Sequence, residues 1–172
     1  MDQGQIWRDV LPRLGWFQRG QPAEVPTTSP AQAAKGLFYV AVVRPVGSVI
    51  TMLCPWVSQE LTAKGLAKRR RRLGKGRLDV VLDKAPQHQG PIVEEAVTRY
   101  QIVAHRLPPY SPEMNAAEAW IRWAQEDLSA NICWQERGAL VRSFTGFVAS
   151  LAQRVSTVLH RCVPQMHGFS CA

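Results

Sequence analysis

Two short apolar segments on either side of one helix-length stretch constrain the fold of this chain more than any other feature. RLDVVLD covers residues 77–83, and QIVAHRL covers residues 101–107. Between them Pro91 stands at the position that proline favours in a first helical turn, and apolar residues recur after it at helical spacing. Strand, helix and strand in so few residues predict a βαβ unit with two parallel strands.

The rest of the chain adds further strands and helices to this unit. LFYVAVV (37–43) and VGSVITML (46–53) predict a hairpin, and a helix is predicted over 56–73. Apolar stripes predict a helix around Glu118 and a long last helix that ends near residue 160. The order predicts an α/β fold, a mixed sheet covered by helices. We expect one domain over 1–172, with a core at 1–130, a C-terminal helix at 131–160 and a tail at 161–172.

The charge of the chain indicates a polyanionic partner. Its formal net charge is +8 and its pI is about 9.9, which suits nucleic acid. AKRRRRLGKGR (67–77) places seven basic residues in eleven positions just before the strand at 77–83. The residues that we expect to neutralise DNA phosphates are Lys68, Arg69, Arg70, Arg71, Arg72, Lys75 and Arg77.

The cysteines and the hydropathy bear on the compartment. Four widely spaced cysteines without a CxxC pair indicate free thiols in a reducing environment. His160, Cys162, His167 and Cys171 fit no standard zinc spacing, so the tail is interpreted as a frayed terminus. No apolar run is long enough for a membrane span, and the N-terminus is polar. We expect a cytoplasmic, nucleoid-associated protein, or a nuclear one in a eukaryote.

Two carboxylates are candidates for a metal site. Asp83 ends one predicted strand, and Glu118 follows the next strand after the turn LPPYSP (107–112). Because the carboxyl ends of parallel strands meet at one sheet edge, we expect the two side chains to lie roughly 4–8 Å apart around a cation. Oxygen ligands favour Mg²⁺ or Mn²⁺, which commonly serve phosphate chemistry.

These residues also carry a family resemblance. LDKAPQHQG followed by LPPYSPEMNAAEAW resembles the catalytic core of DDE transposases of the mariner superfamily, including its bacterial insertion-sequence branch. Leu82, Asp83, Ala85 and His88 match the first motif, and 107–112, Asn115 and Glu118 match the second. The 34 residues from 84 to 117 give the spacing of one large branch.

The order of strands and helices predicts a five-stranded mixed sheet, and the resemblance implies a ribonuclease H-like fold with a third acid on the first strand. Asp2 matches that acid, with Trp16 and Gly20 in the loop that follows, and Asp9 is the rival. By analogy Asp2 bridges two Mg²⁺ ions, while Asp83 completes one site and Glu118 the other. Cleavage and strand transfer of DNA are then one in-line displacement with different nucleophiles.

The supporting residues each have two readings. Asn115 is expected either to hydrogen-bond to the site or to cap a helix. His88 is expected either to approach the scissile phosphate or to cap the helix that Pro91 opens.

The chain departs from the family pattern in several places. Lys84 stands where the family has Asn, NAAE stands for NPIE, and Trp120 falls one position early. The sequence also starts one residue before Asp2, which suggests a truncated frame with a shortened first strand and no helix-turn-helix region. A separate helix-turn-helix chain and a homodimer are therefore expected partners.

Three functions compete at this point. The first is an active transposase domain, and the second is an inactive remnant that binds DNA through charge. The third, another ribonuclease H-like nuclease such as a resolvase, is disfavoured by the Pro-Tyr-Ser-Pro motif.

Overall fold

The computed structural model describes residues 1–13, 19, 20, 24 and 35–162. Five strands and five α-helices form the described part of the chain. In chain order they are β1 (Asp2–Trp7), β2 (Lys35–Val43), β3 (Ser48–Cys54), α1 (Gln59–Leu73), β4 (Leu78–Leu82), α2 (Pro91–Arg99), β5 (Ile102–Arg106), α3 (Ala116–Ser129), α4 (Arg137–Ser150) and α5 (Val155–Cys162). Short 3₁₀ turns lie at Pro86–His88, Pro112–Met114 and Leu151–Gln153.

The predicted βαβ unit and hairpin are both confirmed. β4 and β5 pair in parallel from Leu78↔Ile102 to Leu82↔Arg106, with α2 as the crossover. β2 and β3 pair antiparallel through a turn that ends at Gly47. Glycine is required at position 47 for two reasons. The φ of Gly47 is +66°, and a Cβ there would lie 2.8 Å from the Val155 side chain.

The predicted five-stranded sheet is confirmed only in part, because the strands form two hydrogen-bonded sheets. One has the order β1-β2-β3 and the other consists of β4 and β5. β1 pairs with β2 only as far as Asp2↔Val40, and the Met1 amino group donates to the Val81 carbonyl oxygen at 2.6 Å. Past that contact an interstrand groove of about 530 Å³ lies between Ala41–Val43 and Leu78–Val81. Strands must lie about 4.8 Å apart to pair. Among the described residues no ladder joins β4 to the three-stranded sheet, although the amino group of Met1, just before β1, donates to β4.

Helices cover both sides of the strands, because alternate residues of β2 point to opposite faces. Phe38 and Val40 pack with α3, α4 and α5 in one apolar cluster around Trp120. Tyr39 and Ala41 pack with α1, α2, β4 and β5 in a second cluster. This second cluster includes residues of both sheets, so it joins them through side-chain packing.

The long C-terminal helix predicted within 131–160 is broken into two. α4 ends at Ser150, Leu151–Gln153 form a 3₁₀ turn, and α5 begins at Val155. The Ser150 hydroxyl donates to the Phe147 carbonyl oxygen at 2.8 Å, a bond that competes with helical hydrogen bonding at the end of α4. The break leaves Leu151 and Val158 buried against the α3 side of the molecule, while Val155 is partly exposed.

Two sequence expectations about the thiols and hydropathy meet the structure here. Cys54, Cys133 and Cys162 are free thiols, as their spacing predicted. His167 and Cys171 of the tail lie outside the described residues. Within the described ranges, every helix is too short or too polar to cross a lipid bilayer.

Candidate metal centre

Two aspartates from different sheets lie close together at one edge of the fold. Asp2 opens β1, and Asp83 directly follows β4. One oxygen of each and a ring nitrogen of His88 all lie within 4.8 Å of one another. The family resemblance predicts that Asp2 and Asp83 belong to one site, and in the fold their side chains lie close together.

Asp2 is almost fully buried, at 5% exposed. Its Oδ1 accepts the Gln3 backbone N–H at 2.8 Å, and its Oδ2 accepts from Asn115 at 2.8 Å. Burial raises the pKa of Asp2 from 3.8 to about 6, and the charge of Asp83 contributes to the same shift. Asp2 therefore releases its proton less readily than an ordinary aspartate.

Asn115 serves both of the uses that the sequence left open. Its Oδ1 accepts the Ala117 N–H at 3.1 Å, which caps α3. Its Nδ2 donates to Oδ2 of Asp2. One buried amide thus fixes the start of α3 and the orientation of a candidate metal ligand.

His88 holds Asp83, and neither of the roles predicted for it is found. The ring is fully buried, so it does not reach the pocket surface, and α2 is capped without any side-chain bond. Instead Nδ1 hydrogen-bonds to Oδ1 of Asp83, which also accepts the Ala85 N–H at 3.1 Å. The bond from His88 is the main reason that the pKa of Asp83 lies below its usual value.

The two aspartates form a donor set that fits a hard cation. Asp83 is held ionised by His88, while the charge on Asp83 opposes ionisation of Asp2. A divalent cation between them relieves that repulsion. Carboxylate oxygens are the ligands that Mg²⁺ and Mn²⁺ prefer, so the residues fit the ion that the sequence predicts.

A pocket of about 360 Å³ opens over the aspartates and includes Glu118. Glu118 lies in the first turn of α3 and is partly buried. It lines the pocket with Asp2 and Asp83, but it does not belong to the cluster within 4.8 Å. Its role as the third acid stays a prediction.

Two further residues line the pocket. The sequence leaves two readings for Lys84, competition with the metals or contact with DNA, and its exposed side chain lines the pocket. Tyr110 is, by sequence, only part of a rigid turn, and it too lines the pocket. Their positions in the sequence could have pointed to the pocket, because each residue stands within or beside a motif that carries a candidate acid.

Asp9, the alternative to Asp2, lies within the described residues, and so does part of the loop expected after the first strand. Asp9 lies beyond the far end of β1, and its Oδ1 accepts the Val10 N–H. Gly20 lies in a turn with φ of +86°. Trp16 lies outside the described residues.

Some basic residues on and after α1 bond within the protein, and others are exposed to solvent. Arg69 is 1% exposed and donates to the carbonyls of Gly65 and Ile50, so the prediction that it contacts DNA is wrong. Arg70 donates to four backbone carbonyls, and Lys68 donates to the Thr51 carbonyl. Arg77 pairs with Asp79 on the surface. The exposed residues of the run that remain for a phosphate are Arg71, Arg72 and Lys75.

The comparisons with known proteins agree with this geometry. A family model described as DDE superfamily endonuclease matches residues 1–141. No curated protein matches the sequence significantly. Among solved structures, the Mos1 transposase paired-end complex with left transposon end superposes with a TM-score of 0.69 at 15% identity, over 94% of this chain and 52% of that one.

Two other Mos1 structures match in the same way. The Mos1 mariner paired-end complex with Mn has a TM-score of 0.68 at 15% identity, and coverage is again 94% and 52%. The Mos1 strand transfer complex has 0.65 at 16% identity, over 93% of this chain and 50% of that one. The chain thus spans about half the length of these structures. At such identities the likeness shows a shared ribonuclease H-like α/β fold.

Proposed function

The chain belongs to the DDE superfamily of endonucleases, and we propose that it cuts and joins DNA strands by metal-dependent phosphoryl transfer, as a transposase does. The observation that carries the proposal is the pair Asp2 and Asp83, one oxygen of each within 4.8 Å, at the floor of an open pocket. The Mos1 complexes are similar in fold and are transposase structures by name, which supports the same chemistry.

The proposed cofactor is Mg²⁺ or Mn²⁺, in two ions. Asp2 and Asp83 would hold one ion, and Asp2 and Glu118 would hold the second. When bound, such ions polarise the scissile phosphate and lower the pKa of an attacking water or hydroxyl. One of the similar Mos1 structures is a paired-end complex with Mn, which supports the choice of metal.

The protein's own groups prepare the two ligands. Asn115 directs Oδ2 of Asp2, and His88 directs Oδ1 of Asp83, so neither carboxylate must reorganise when the cation arrives. The exposed ammonium of Lys84 lines the pocket, where it can contact a phosphate oxygen of the strand to be cut.

The proposed partner is DNA, bound through its phosphates. Arg71, Arg72 and Lys75 are exposed on and after α1 and supply a contact without sequence preference. We further propose that a separate helix-turn-helix chain reads the DNA sequence and that the catalytic chain acts as a homodimer.

A plasmid-nicking assay in Mn²⁺ or Mg²⁺ tests the function. Asp83→Asn keeps an Oδ1 that accepts from His88 and Ala85 but removes the charge that binds metal. We expect weak nicking by the wild type, none by Asp83→Asn, and unchanged nicking by Asp127→Asn, an exposed aspartate outside the pocket.

Two results would count against the proposal. Equal nicking by wild type and Asp83→Asn would assign the activity to other residues or to a contaminant. Absence of nicking by both, with DNA binding retained, would select the alternative function, a DNA-binding protein without catalysis.

A further inference from the structure

Tyr110 presents its aromatic ring to solvent at the rim of the metal pocket. The residue is 99% exposed, the highest value among the large hydrophobic residues of the described chain. Its backbone φ is +56°, in the left-handed region that a bulky side chain rarely adopts. The fold therefore leaves apolar area unburied and accepts a strained backbone at one residue.

The turn around Tyr110 keeps the ring in that place. Pro108 and Pro109 precede it, Pro112 follows at the start of a 3₁₀ turn, and the Ser111 hydroxyl donates to the Pro109 carbonyl oxygen at 3.3 Å. Prolines remove backbone freedom, so the ring is carried on a rigid support. A strained, rigid and exposed aromatic residue beside a site is a reason to look for a ligand.

We propose that Tyr110 stacks on a nucleobase next to the phosphate to be cut. The inference rests on the proposed function, because it assumes a DNA strand in the pocket. Tyr110 lines the same pocket as Asp2, Asp83 and Lys84. A phosphate held near the aspartates leaves the adjoining nucleotide at the rim, where the ring offers a flat apolar surface.

Stacking on one side chain requires a base that has left its own stack. Leaving the stack costs least for a nucleotide that is unpaired, mismatched or single-stranded. The inferred substrate class is therefore DNA with an unpaired nucleotide beside the scissile phosphate. Aromatic stacking tolerates any base, so this preference concerns the state of the base and not its identity.

A binding experiment with single 2-aminopurine probes tests the inference without cleavage. The probe is placed beside the target phosphate, unpaired in one DNA and paired in a matched duplex, with Ca²⁺ as the only divalent ion. Tyr110→Phe keeps the ring, Tyr110→Ala removes it, and Trp56→Ala removes another exposed aromatic residue that lies outside the pocket.

We expect Tyr110→Ala to bind the unpaired DNA about tenfold more weakly than the wild type, with a change of less than about twofold for the duplex. At saturation the probe should be more strongly quenched by wild type and Tyr110→Phe than by Tyr110→Ala. Trp56→Ala should behave as the wild type does.

Equal affinities and equal quenching for wild type and Tyr110→Ala would overturn the inference. So would an equal loss with paired and unpaired DNA, since that outcome indicates a general loss of contact. These results are independent of nicking, which Asp83→Asn tests separately, so failure of the stacking and failure of the proposed function are distinguishable.

Discussion

The two aspartates of the candidate metal centre differ in pKa because their neighbours differ. Asp83 accepts from His88 and Ala85, which stabilises its charged form. Asp2 is buried beside that charge, and its pKa rises to about 6. The hydrogen bond from the Gln3 backbone lowers the pKa of Asp2 but does not outweigh burial. Below about pH 6 the apoprotein therefore keeps one proton on this pair, and a cation that binds there displaces it.

The raised pKa of Asp2 predicts how Mn²⁺ affinity depends on pH. Above pH 6 Asp2 is ionised and binds the cation, whereas below pH 6 the proton must leave first. We expect the association constant for Mn²⁺ to be nearly constant from about pH 7 to 8 and to fall about tenfold per pH unit below about 6. Electron paramagnetic resonance of free Mn²⁺ measures it. Asp2→Asn should bind weakly with no such step, and unchanged wild-type affinity down to about pH 4.5 would contradict the prediction.

At the level of single residues, the motifs pointed to Asp83 and Asn115 but not to the hydrogen bonds that hold them, and the part played by Glu118 stays a prediction. Asp83 and Asn115 follow directly from their motifs, and the structure places both at the centre. The partner of His88 could not be predicted, because a 3₁₀ turn at Pro86–His88 swings the ring inward. Sequence spacing carries no information on such a rotation.

At the level of elements, the basic stretch of α1 stabilises the fold and also contributes charge to the surface. Arg70 donates to the carbonyls of Tyr100 (2.7 Å) and Gln101 (2.5 Å) after α2, and to those of Gly74 (3.2 Å) and Gly76 (2.8 Å) after α1. It thereby satisfies backbone acceptors in the turns that lead into β4 and β5. The sequence shows two adjacent arginines, and their charge alone does not reveal that Arg70 bonds to the backbone while Arg71 is exposed.

The matched variants Arg70→Ala and Arg71→Ala test this division. Arg70→Ala loses charged hydrogen bonds to backbone, so we expect the free energy of unfolding to fall by about 2–3 kcal/mol. Arg71 is exposed, so its loss should change that free energy by less than about 0.5 kcal/mol. Urea denaturation followed by tryptophan fluorescence measures both. Equal stabilities would show that the Arg70 bonds contribute little.

β1 shows where prediction of elements from sequence fails. DQGQIW has no alternating apolar pattern, and only the family resemblance pointed to a strand. Its backbone is fixed by distant groups: the Gln125 amide donates to the Gln5 carbonyl, and Ser129 bonds with both backbone groups of Trp7. Gly4 is required because a Cβ would lie 2.6 Å from the Phe38 ring. Long-range contacts of this kind leave no local pattern, whereas β4 and β5 are apolar and were predicted.

At the level of the whole molecule, the net charge of +8 predicts salt-sensitive DNA binding. The triple variant Arg71→Ala, Arg72→Ala, Lys75→Ala should lower the slope of log affinity against log salt by about 2–3, if each residue neutralises one phosphate. Arg137→Ala with Arg142→Ala on α4 serves as a control, because these exposed residues lie on another helix. Fluorescence anisotropy at several salt concentrations measures the slopes. Equal slopes for the triple variant and the wild type would remove this surface from the DNA interface.

Because the strands form two sheets, Asp2 and Asp83 connect two separate parts of the fold. Asp2 belongs to the three-stranded sheet, and Asp83 follows the two-stranded one. Any ion that both residues coordinate is therefore a cross-link between two units that share core packing and, at Met1, a backbone hydrogen bond. Separating the two sheets would also break the coordination of such an ion, so a bound ion would add one more link to the core packing that already joins them.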